Sequence, residues 1–437
     1  MKTMLATLTI GAMAAAVLLG PGTARGAILV DSASLSAIQD AWVDQANPTT
    51  NYGSTTTLER KAGWSSTPSS STQKFPYVDF GAANLLATVP AGAAVYRAQL
   101  ALDRVSATGD SEARVGHVSA AWNEGTIVYN SAPGTAATRY GGPLGTGAGT
   151  TVLDVTTYVD SVRRTGSGTA SYRLSGGGED NGHTTVFSSR EAGAGVAPEL
   201  TVEWVPASRL YTPGMKGSNL VARLQEGLSG YAGTSDTMLT TRNSLVHGAD
   251  ASFNMENVWG SDTSRGLVKF DLSSIGVNPA WATVTSATLL LMPSDFQTMT
   301  SIPVQVRELQ KAWTENATWT TYDGVNLWDL AGAAGAGDQS AVLSSTSLAD
   351  SQWGMIYLDV TSSVASWLGN PALNNGWIVD AVSATQNIVS QVGTSENATI
   401  VLRPQLWIQM NVIPEPATAA VLGLAGLLGL KRRGRRA

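Results

Sequence analysis

The chain has 437 residues, of which 43% are hydrophobic and 14% are charged, and 46 are glycine. The length is sufficient for two domains with separate cores, and so few charged residues are atypical of helical bundles, which carry Glu, Lys and Arg on their exposed faces. The formal net charge of −6 has the wrong sign for a nucleic-acid-binding protein, so we expect no nucleic-acid partner. Cysteine is absent, which excludes disulfides, thiolate metal sites and cysteine nucleophiles.

Residues 1–26 have the features of a secretory signal peptide. Lys2 provides a positive start, Met4 to Leu19 form an apolar run, and Ala24-Arg25-Gly26 is a small-x-small cleavage site. A transmembrane helix is the alternative, and it is disfavoured because the run is short and contains Gly11. The segment predicts that signal peptidase cleaves the chain and that the protein is exported.

One long pattern of short apolar segments occurs twice between the two ends of the chain. Trp122-Asn123-Glu124 of the first copy corresponds to Trp313-Thr314-Glu315 of the second. Later landmarks such as Asp154 and Asp359 are farther apart, so the second copy carries an extra loop. Such internal similarity indicates a duplicated domain.

We place the first domain at residues 28–205 and the second at residues 218–412. A short linker at residues 206–217 contains Pro and Gly and is predicted to be semi-stiff at best. Within each domain, short β-branched and alternating segments are separated by Gly, Pro, Asn and Ser. This spacing predicts an all-β fold, with two tandem antiparallel β-sandwiches that are jelly-roll-like.

One short helix is predicted in each sandwich, directly after a strand. Thr156 and Thr361 are candidate caps, since a threonine side chain can accept from a free N–H of the first turn. Asp154 and Asp359, just before them, could bind backbone N–H groups or a cation, and the structural role is favoured. The residues expected on the buried face of each helix follow the caps at helical spacing: Val159 and Val162, and Val364 and Trp367.

The Trp-x-Glu motif is interpreted as structural. Trp122 and Trp313 stand at the same place in both copies beside apolar strands, which is typical of core residues. Glu124 and Glu315 are expected to fix a neighbouring loop through hydrogen bonds rather than to act as acids.

A polar, glycine-rich segment at residues 176–183 is the candidate metal site. Glu179, Asp180 and Asn181 offer the oxygen ligands that Ca²⁺ prefers. A solvated hairpin turn is the alternative and is favoured on spacing alone.

The C-terminal end combines three features in a fixed order. Pro414-Glu415-Pro416 precedes an apolar run at residues 417–430, and a basic cluster with Arg432 and Arg433 ends the chain. The apolar run is shorter than a usual membrane span, although it could cross a thin bilayer. Residues 413–437 thereby resemble the PEP-CTERM sorting signal of Gram-negative bacteria. The resemblance implies export, transient anchoring in the inner membrane and cleavage by exosortase, and an uncut anchor is the alternative.

The two body domains resemble the DNRLRE domain, also classed as carbohydrate-binding module family 96. The motifs that carry the resemblance in the first domain are Asn51-Tyr52-Gly53, Trp122-Asn123-Glu124 and Phe187-Ser188-Ser189-Arg190-Glu191. In the second domain Asn-Tyr-Gly is missing around Gly230-Tyr231, and residues 389–392 replace the Ser-Arg-Glu segment. We therefore expect the second domain to be divergent and to serve as a scaffold.

The resemblance implies that the protein binds a polysaccharide. An acidic glycan would require positively charged side chains to hold its carboxylates. Trp64, Trp259 and Trp328 are the loop residues whose rings could stack on sugars. The candidate ligand-binding residues are Arg60, Lys61, Trp64, Arg190 and Glu191.

Signs of catalysis are few. The three histidines occur in unrelated contexts, and neither a Gly-x-Ser-x-Gly elbow nor a phosphate-binding loop is present. We expect a non-catalytic binding protein of the cell surface or extracellular matrix. A purely structural envelope or biofilm protein is one alternative. A polysaccharide-cleaving enzyme is the other, and its carboxylate candidates are Glu112, Glu124, Asp154 and Glu179.

Overall fold

The computed structural model describes residues 27–61, 73–108, 112–135, 138–143, 147–176, 183–257, 262–296, 302–348, 354–382 and 388–413. Several predicted features lie outside these residues, namely residues 1–26, Trp64, Trp259, the Ca²⁺ candidates Glu179, Asp180 and Asn181, and the tail residues Pro414, Glu415, Pro416, Arg432 and Arg433. Within the described ranges, no helix is both long enough and apolar enough to cross a bilayer.

Antiparallel β-strands form most of the regular structure, which confirms the predicted all-β, sandwich-like fold. The strands of the first half are β1 (Asp31–Ser36), β2 (Gln39–Asp44), β3 (Thr57–Lys61), β4 (Lys74–Asp79), β5 (Ala94–Ala107), β6 (Glu112–His117), β7 (Thr138–Pro143), β8 (Gly149–Asp154), β9 (Ser171–Gly176), β10 (Thr184–Ser188) and β11 (Glu199–Val205). They pair in the order β1-β11-β5-β10-β3-β4-β9-β6-β7, with β2 beside β4 and β8 beside β5. Helices α1 (Ala82–Thr88) and α2 (Thr156–Thr165) accompany this sheet.

The second half repeats the arrangement. Its strands are β12 (Gly217–Gln225), β13 (Thr234–Thr240), β14 (Ser252–Asn257), β15 (Thr263–Phe270), β16 (Ala282–Leu291), β17 (Pro293–Phe296), β18 (Ile302–Glu308), β19 (Ser344–Leu348), β20 (Ile356–Asp359), β21 (Trp377–Ala381), β22 (Ile388–Gly393) and β23 (Gln405–Val412), with helix α3 (Thr361–Gly369). One sheet has the order β12-β23-β16-β20, and the other has the order β17-β22-β14-β15-β21-β18-β19 with β13 beside β15.

The main difference between the halves is that one long strand of the first half is divided into two strands in the second. In the first half β5 pairs with β11 and β8 near its start and with β10 near its end, so it joins both layers into one curled sheet. In the second half its counterpart is split into β16 and β17, which belong to different sheets. Each half buries its own cluster of apolar side chains between the layers, with Leu100 and Phe187 in the first and Leu289 and Trp377 in the second.

The two predicted helices form as α2 and α3, but their first turns are held differently from the prediction. The Thr156 hydroxyl does not cap α2, because it accepts from Ala98 N on β5 at 2.8 Å. The Asp154 carboxylate accepts from Thr156 N at 2.9 Å instead. Thr361 and Asp359 make the same two contacts at α3. The residues predicted on the buried face of each helix are buried: Val159, Val162, Val364 and Trp367.

The two halves are packed against each other through a buried interface, whereas the sequence predicted only a semi-stiff linker between them. A buried apolar cluster between them includes Ala94 and Val205 from the first half and Val221, Leu290 and Trp407 from the second. The layer β12-β23-β16-β20 is therefore covered on both faces, by its own core on one side and by the first half on the other.

Candidate functional site

The three family-like motifs of the first domain meet at one place beside β2. Asn51 donates from its side-chain amide to Glu124 O at 2.7 Å and to Ile127 O at 2.8 Å, which fixes the Trp-x-Glu loop. A Cβ at Gly53 would lie 2.2 Å from Glu124 O, so only glycine fits beside this loop. The Asn-Tyr-Gly motif thus serves to position Glu124.

The tryptophan of the same loop is a packing residue. Trp122 donates from Nε1 to Ser171 Oγ at 2.7 Å, and its ring meets the Tyr77 ring edge-on with 5.7 Å between centroids. Gln39 holds the loop from the other side, since its amide donates to Trp122 O and accepts from Glu124 N, both at 3.2 Å. Trp122 is half-buried, and its counterpart Trp313 in the second half is buried. The structural interpretation of Trp-x-Glu is confirmed.

Three carboxylates and one guanidinium converge at this point. Glu124 accepts from Asp40 N at 3.1 Å, and Asp40 accepts from Arg190 N at 2.7 Å. The Arg190 guanidinium donates to Glu124 at 2.7 Å and lies 2.9 Å from a Glu191 oxygen. One oxygen from each of Asp40, Glu124 and Glu191 lies within 4.8 Å of the others. We call these four residues the first carboxylate cluster.

Burial and mutual repulsion oppose the ionisation of all three carboxylates in the first carboxylate cluster. The Asp40 side chain is only 1% exposed, and burial raises its pKa to about 7, with repulsion from Glu191 and Glu124 adding to the effect and the bond from Arg190 N opposing it. Pairing with Glu124 raises the pKa of the Arg190 guanidinium, which stays charged. Asp40 and Glu191 are in hydrogen-bond contact rather than separated by the roughly 5–9.5 Å that glycosidase carboxylate pairs require. The cluster is therefore suited to holding loops together.

Of the predicted ligand-binding residues, Trp64 lies outside the described part of the chain, and the others differ in exposure and in their partners. Arg60 is 0% exposed and donates to Ser175 O at 3.2 Å inside the sandwich, so its prediction as a ligand residue is wrong. The Arg190 guanidinium forms ion pairs with both Glu124 and Glu191, so a glycan carboxylate would have to compete with protein carboxylates for it. Lys61 is half-buried at the end of β3, beside Lys74.

The predicted sugar-stacking tryptophan of the second domain is also buried. Trp328 is enclosed among Leu309, Trp313 and Ala333, and its Nε1 donates to Thr318 O at 3.0 Å. Its ring is a core group of the extra loop of the second copy, so its prediction as a sugar platform is wrong. Asp154, a candidate carboxylate for catalysis, is engaged by backbone N–H groups of Thr156 and Met355.

A different group of side chains lies on the side of β4, β9 and β6 away from the main core, together with Tyr129 from the turn after the Trp-x-Glu loop, and the sequence analysis did not single it out as a group. Phe75 and Tyr129 also pack against a small apolar cluster that includes Tyr77 and Val118. The Arg173 guanidinium lies 4.7 Å from the centre of the Phe75 ring, and the Phe75 and Tyr129 rings are stacked with 6.3 Å between centroids. Arg114 stands on the same face of the sheet, because its neighbours Val115 and Leu174 are buried in the core behind it. All four are half-buried. We call Phe75, Arg114, Tyr129 and Arg173 the outer face.

In the second domain, the surface equivalent to the outer face is covered by other residues. Ile378 pairs with Leu267 there as Arg173 pairs with Tyr77 in the first domain, and Ile378 is fully buried. The extra loop of the second copy packs Trp313 and Trp328 over it. The outer face is thus a feature of the first domain.

The strand pairing also corrects the sequence comparison of the two copies. Val392 pairs with Phe253 as Phe187 pairs with Leu58, so Thr394-Ser395-Glu396, and not residues 389–392, is the counterpart of Ser189-Arg190-Glu191. A Cβ at Gly248 would lie 2.6 Å from Glu315 O, so Gly248 takes the place of Gly53. Loop lengths between the motifs differ, which hid these matches in the sequence.

Residues 31–204 match the family model of carbohydrate-binding module family 96. This range is the first domain from β1 to β11, so the resemblance stated for that domain is confirmed, and the match supports carbohydrate binding by it. A search of curated proteins finds no match to the chain.

Proposed function

We propose that the protein is a non-catalytic polysaccharide-binding protein whose first domain holds an acidic glycan on the outer face. The match of residues 31–204 to a carbohydrate-binding module supports the activity. The location is supported by the Arg173 guanidinium over the Phe75 ring, with the Tyr129 ring stacked beside it. Rings provide flat apolar surfaces for sugar C–H groups, and a guanidinium provides a planar pair of donors for a carboxylate.

The outer face offers both kinds of contact within one stretch of sheet. Arg173 has a hydrogen bond of 3.5 Å to Thr135, and it is not bound by a carboxylate among the ion pairs of the described residues. In this it differs from Arg190, whose charge is balanced inside the first carboxylate cluster. A glycan carboxylate would therefore gain more from Arg173 than from Arg190.

Arg173→Gln is expected to weaken retention on a polyuronate by roughly tenfold, the value of one charge-assisted hydrogen bond. Affinity gel electrophoresis of the full chain with polygalacturonate, alginate and a neutral glucan measures this. Lys216→Gln removes one exposed positive charge outside the sheets and serves as the control, which should bind as the unaltered protein does. Equal retention of Arg173→Gln and the unaltered protein on every glycan would rule out this location.

We also propose that the protein is exported and sorted to the cell surface or extracellular matrix of a Gram-negative bacterium, with signal peptidase and exosortase as processing partners. The order of Pro414-Glu415-Pro416, the apolar run and the arginine cluster supports this. Intact-mass measurement of the protein from its native host is expected to show a chain that begins after residue 26 and ends near Glu415. A mature chain that still contains Arg433 would contradict cleavage of the tail.

A further inference from the structure

The second domain contains its own set of three carboxylates at the place that corresponds to the first carboxylate cluster. Asp236 lies opposite Val268 in the β13–β15 pair as Asp40 lies opposite Val78 in the β2–β4 pair. Glu315 follows Trp313 as Glu124 follows Trp122, and Glu396 stands where Glu191 does. Ser395 N donates to Asp236 Oδ2 at 2.8 Å, which repeats the bond from Arg190 N to Asp40. We call Asp236, Glu315 and Glu396 the second carboxylate cluster.

The cation of the first cluster is missing from the second. Arg190 is replaced by Ser395, whose hydroxyl donates to Glu396 at 2.8 Å and brings no positive charge. Among the described residues, no Lys, Arg or His forms an ion pair with Asp236, Glu315 or Glu396. The nearby groups that act on these carboxylates electrostatically are other carboxylates, since Glu396 acts on Asp236 and both Glu396 and Glu226 act on Glu315.

A buried oxygen in the second cluster also lacks a partner. Asp236 is 0% exposed, and its Oδ1 makes no hydrogen bond. Its carboxyl group is in contact with the Glu396 side chain. Asp40 Oδ1 of the first cluster likewise makes no hydrogen bond, but there the Arg190 guanidinium balances the charge of the neighbouring carboxylates. An unpaired buried carboxylate oxygen costs free energy, and a bound cation would remove that cost.

We propose that the second carboxylate cluster binds a divalent cation of the Ca²⁺ type in the position that the Arg190 guanidinium occupies in the first. In the first cluster the three oxygens lie within 4.8 Å of one another, a spacing that bonds of about 2.3–2.6 Å to one Ca²⁺ allow. Among the described residues the second cluster does not have this spacing as its side chains stand, so binding requires them to move closer. In the second cluster Asp236 is fixed, while Glu396 is exposed and Glu315 is half-buried, so these two side chains can turn toward a shared ion. Ca²⁺ suits such a site because it accepts irregular oxygen geometry, whereas Mg²⁺ requires a near-ideal octahedron.

Thermal unfolding of the full chain, first freed of metal with a chelator, tests the site. With Ca²⁺ at about 10 mM and a dissociation constant typical of extracellular modules, the unfolding temperature is expected to rise by roughly 3–8 °C. Mg²⁺ at the same concentration should give a smaller rise, which separates a specific site from general screening of a negatively charged protein.

Exchanging the residue that distinguishes the clusters gives the decisive comparison. Ser395→Arg is expected to abolish the Ca²⁺ response and to keep the fold, because the first domain accommodates an arginine at this position. Arg190→Ser is expected to add a Ca²⁺ response in the first domain. Glu396→Gln alters an exposed side chain and should reduce the response without unfolding the protein.

Two results would overturn the proposal. The first is an unfolding temperature that does not respond to Ca²⁺ in the unaltered protein, which would mean that a proton shared by Asp236 and Glu396 is the only partner of the buried oxygen. The second is a Ca²⁺ response of equal size in the unaltered protein, in Ser395→Arg and in Glu396→Gln, which would place the ion elsewhere. Glycan binding by the outer face is independent of both results.

Discussion

Asp160→Ala is expected to destabilise the protein by about 3–5 kcal/mol, because it removes one partner of a buried ion pair. Asp160 on α2 and Arg223 on β12 join the two halves through two hydrogen bonds of 3.1 and 3.0 Å. Their side chains are 5% and 6% exposed. Without the carboxylate, Arg223 would remain buried with a neutral oxygen of Gln225 and the Trp407 ring as its neighbours. Urea unfolding monitored by tryptophan fluorescence measures the loss.

Two control variants separate the buried pair from its surroundings. Arg164→Ala removes a more exposed partner of Asp160, at 3.1 Å, and is expected to cost less than about 1 kcal/mol. The double variant Asp160→Leu with Arg223→Met replaces both charges with apolar groups and should recover most of the stability. An Asp160→Ala protein as stable as Arg164→Ala would show that the halves do not depend on this pair.

The ion pair belongs to a wider interface that makes one body of the two domains. Tyr357 donates to Tyr96 O at 3.2 Å across it, and the Tyr96 ring meets the Trp407 ring edge-on with 5.2 Å between centroids. Met355 N donates to the half-buried Asp154 carboxylate at 3.3 Å. The second domain, with its outer surface covered by its own loop, is therefore held against the first by both apolar and polar contacts.

The two-residue alternation of side chains along the strands allowed the fold to be predicted. It also determines which face of a strand each polar residue occupies, although no prediction was made from this. Alternation predicted the strands and the all-β class, and helical spacing predicted the buried faces of α2 and α3. The same period places Arg60 two residues after the core residue Leu58, on the same face of β3, so its burial could have been inferred. Arg114 and Arg173 could have been assigned to the outer face in the same way, from the core residues Val115 and Leu174.

The docking of the two domains could not be predicted from the sequence. On β23 the residues Leu406 and Ile408 face the core of their own domain, while Trp407 faces the first domain. A strand buried on both faces gives a continuous apolar run whatever covers it. The carboxylate clusters were also hidden, because their members lie on three segments far apart in the chain and meet only after the strands pair.

The stability of the first domain is expected to increase as the solution becomes mildly acidic, with Asp40 as one cause. Its folded-state pKa of about 7 lies above the ordinary value of 3.8, so the folded protein retains a proton that the unfolded chain has lost. The contribution is complete below the unfolded pKa and is lost as the pH rises through about 7. Between about pH 8 and pH 5 the free energy of unfolding should rise by about 2–3 kcal/mol from this group.

Asp40→Asn isolates that contribution, because an amide keeps an oxygen for Arg190 N and has no charge to lose. The variant is expected to be more stable than the unaltered protein by about 2–3 kcal/mol near pH 8 and equally stable near pH 5, measured by urea unfolding with a chelator present. The neighbouring charges of Glu124, Arg190 and Glu191, and the buried Asp236 of the second domain, are the same in both proteins and cancel in the difference. A variant that is destabilised equally at both pH values would mean that the Asp40 carboxylate is charged in the folded protein, held by the guanidinium of Arg190.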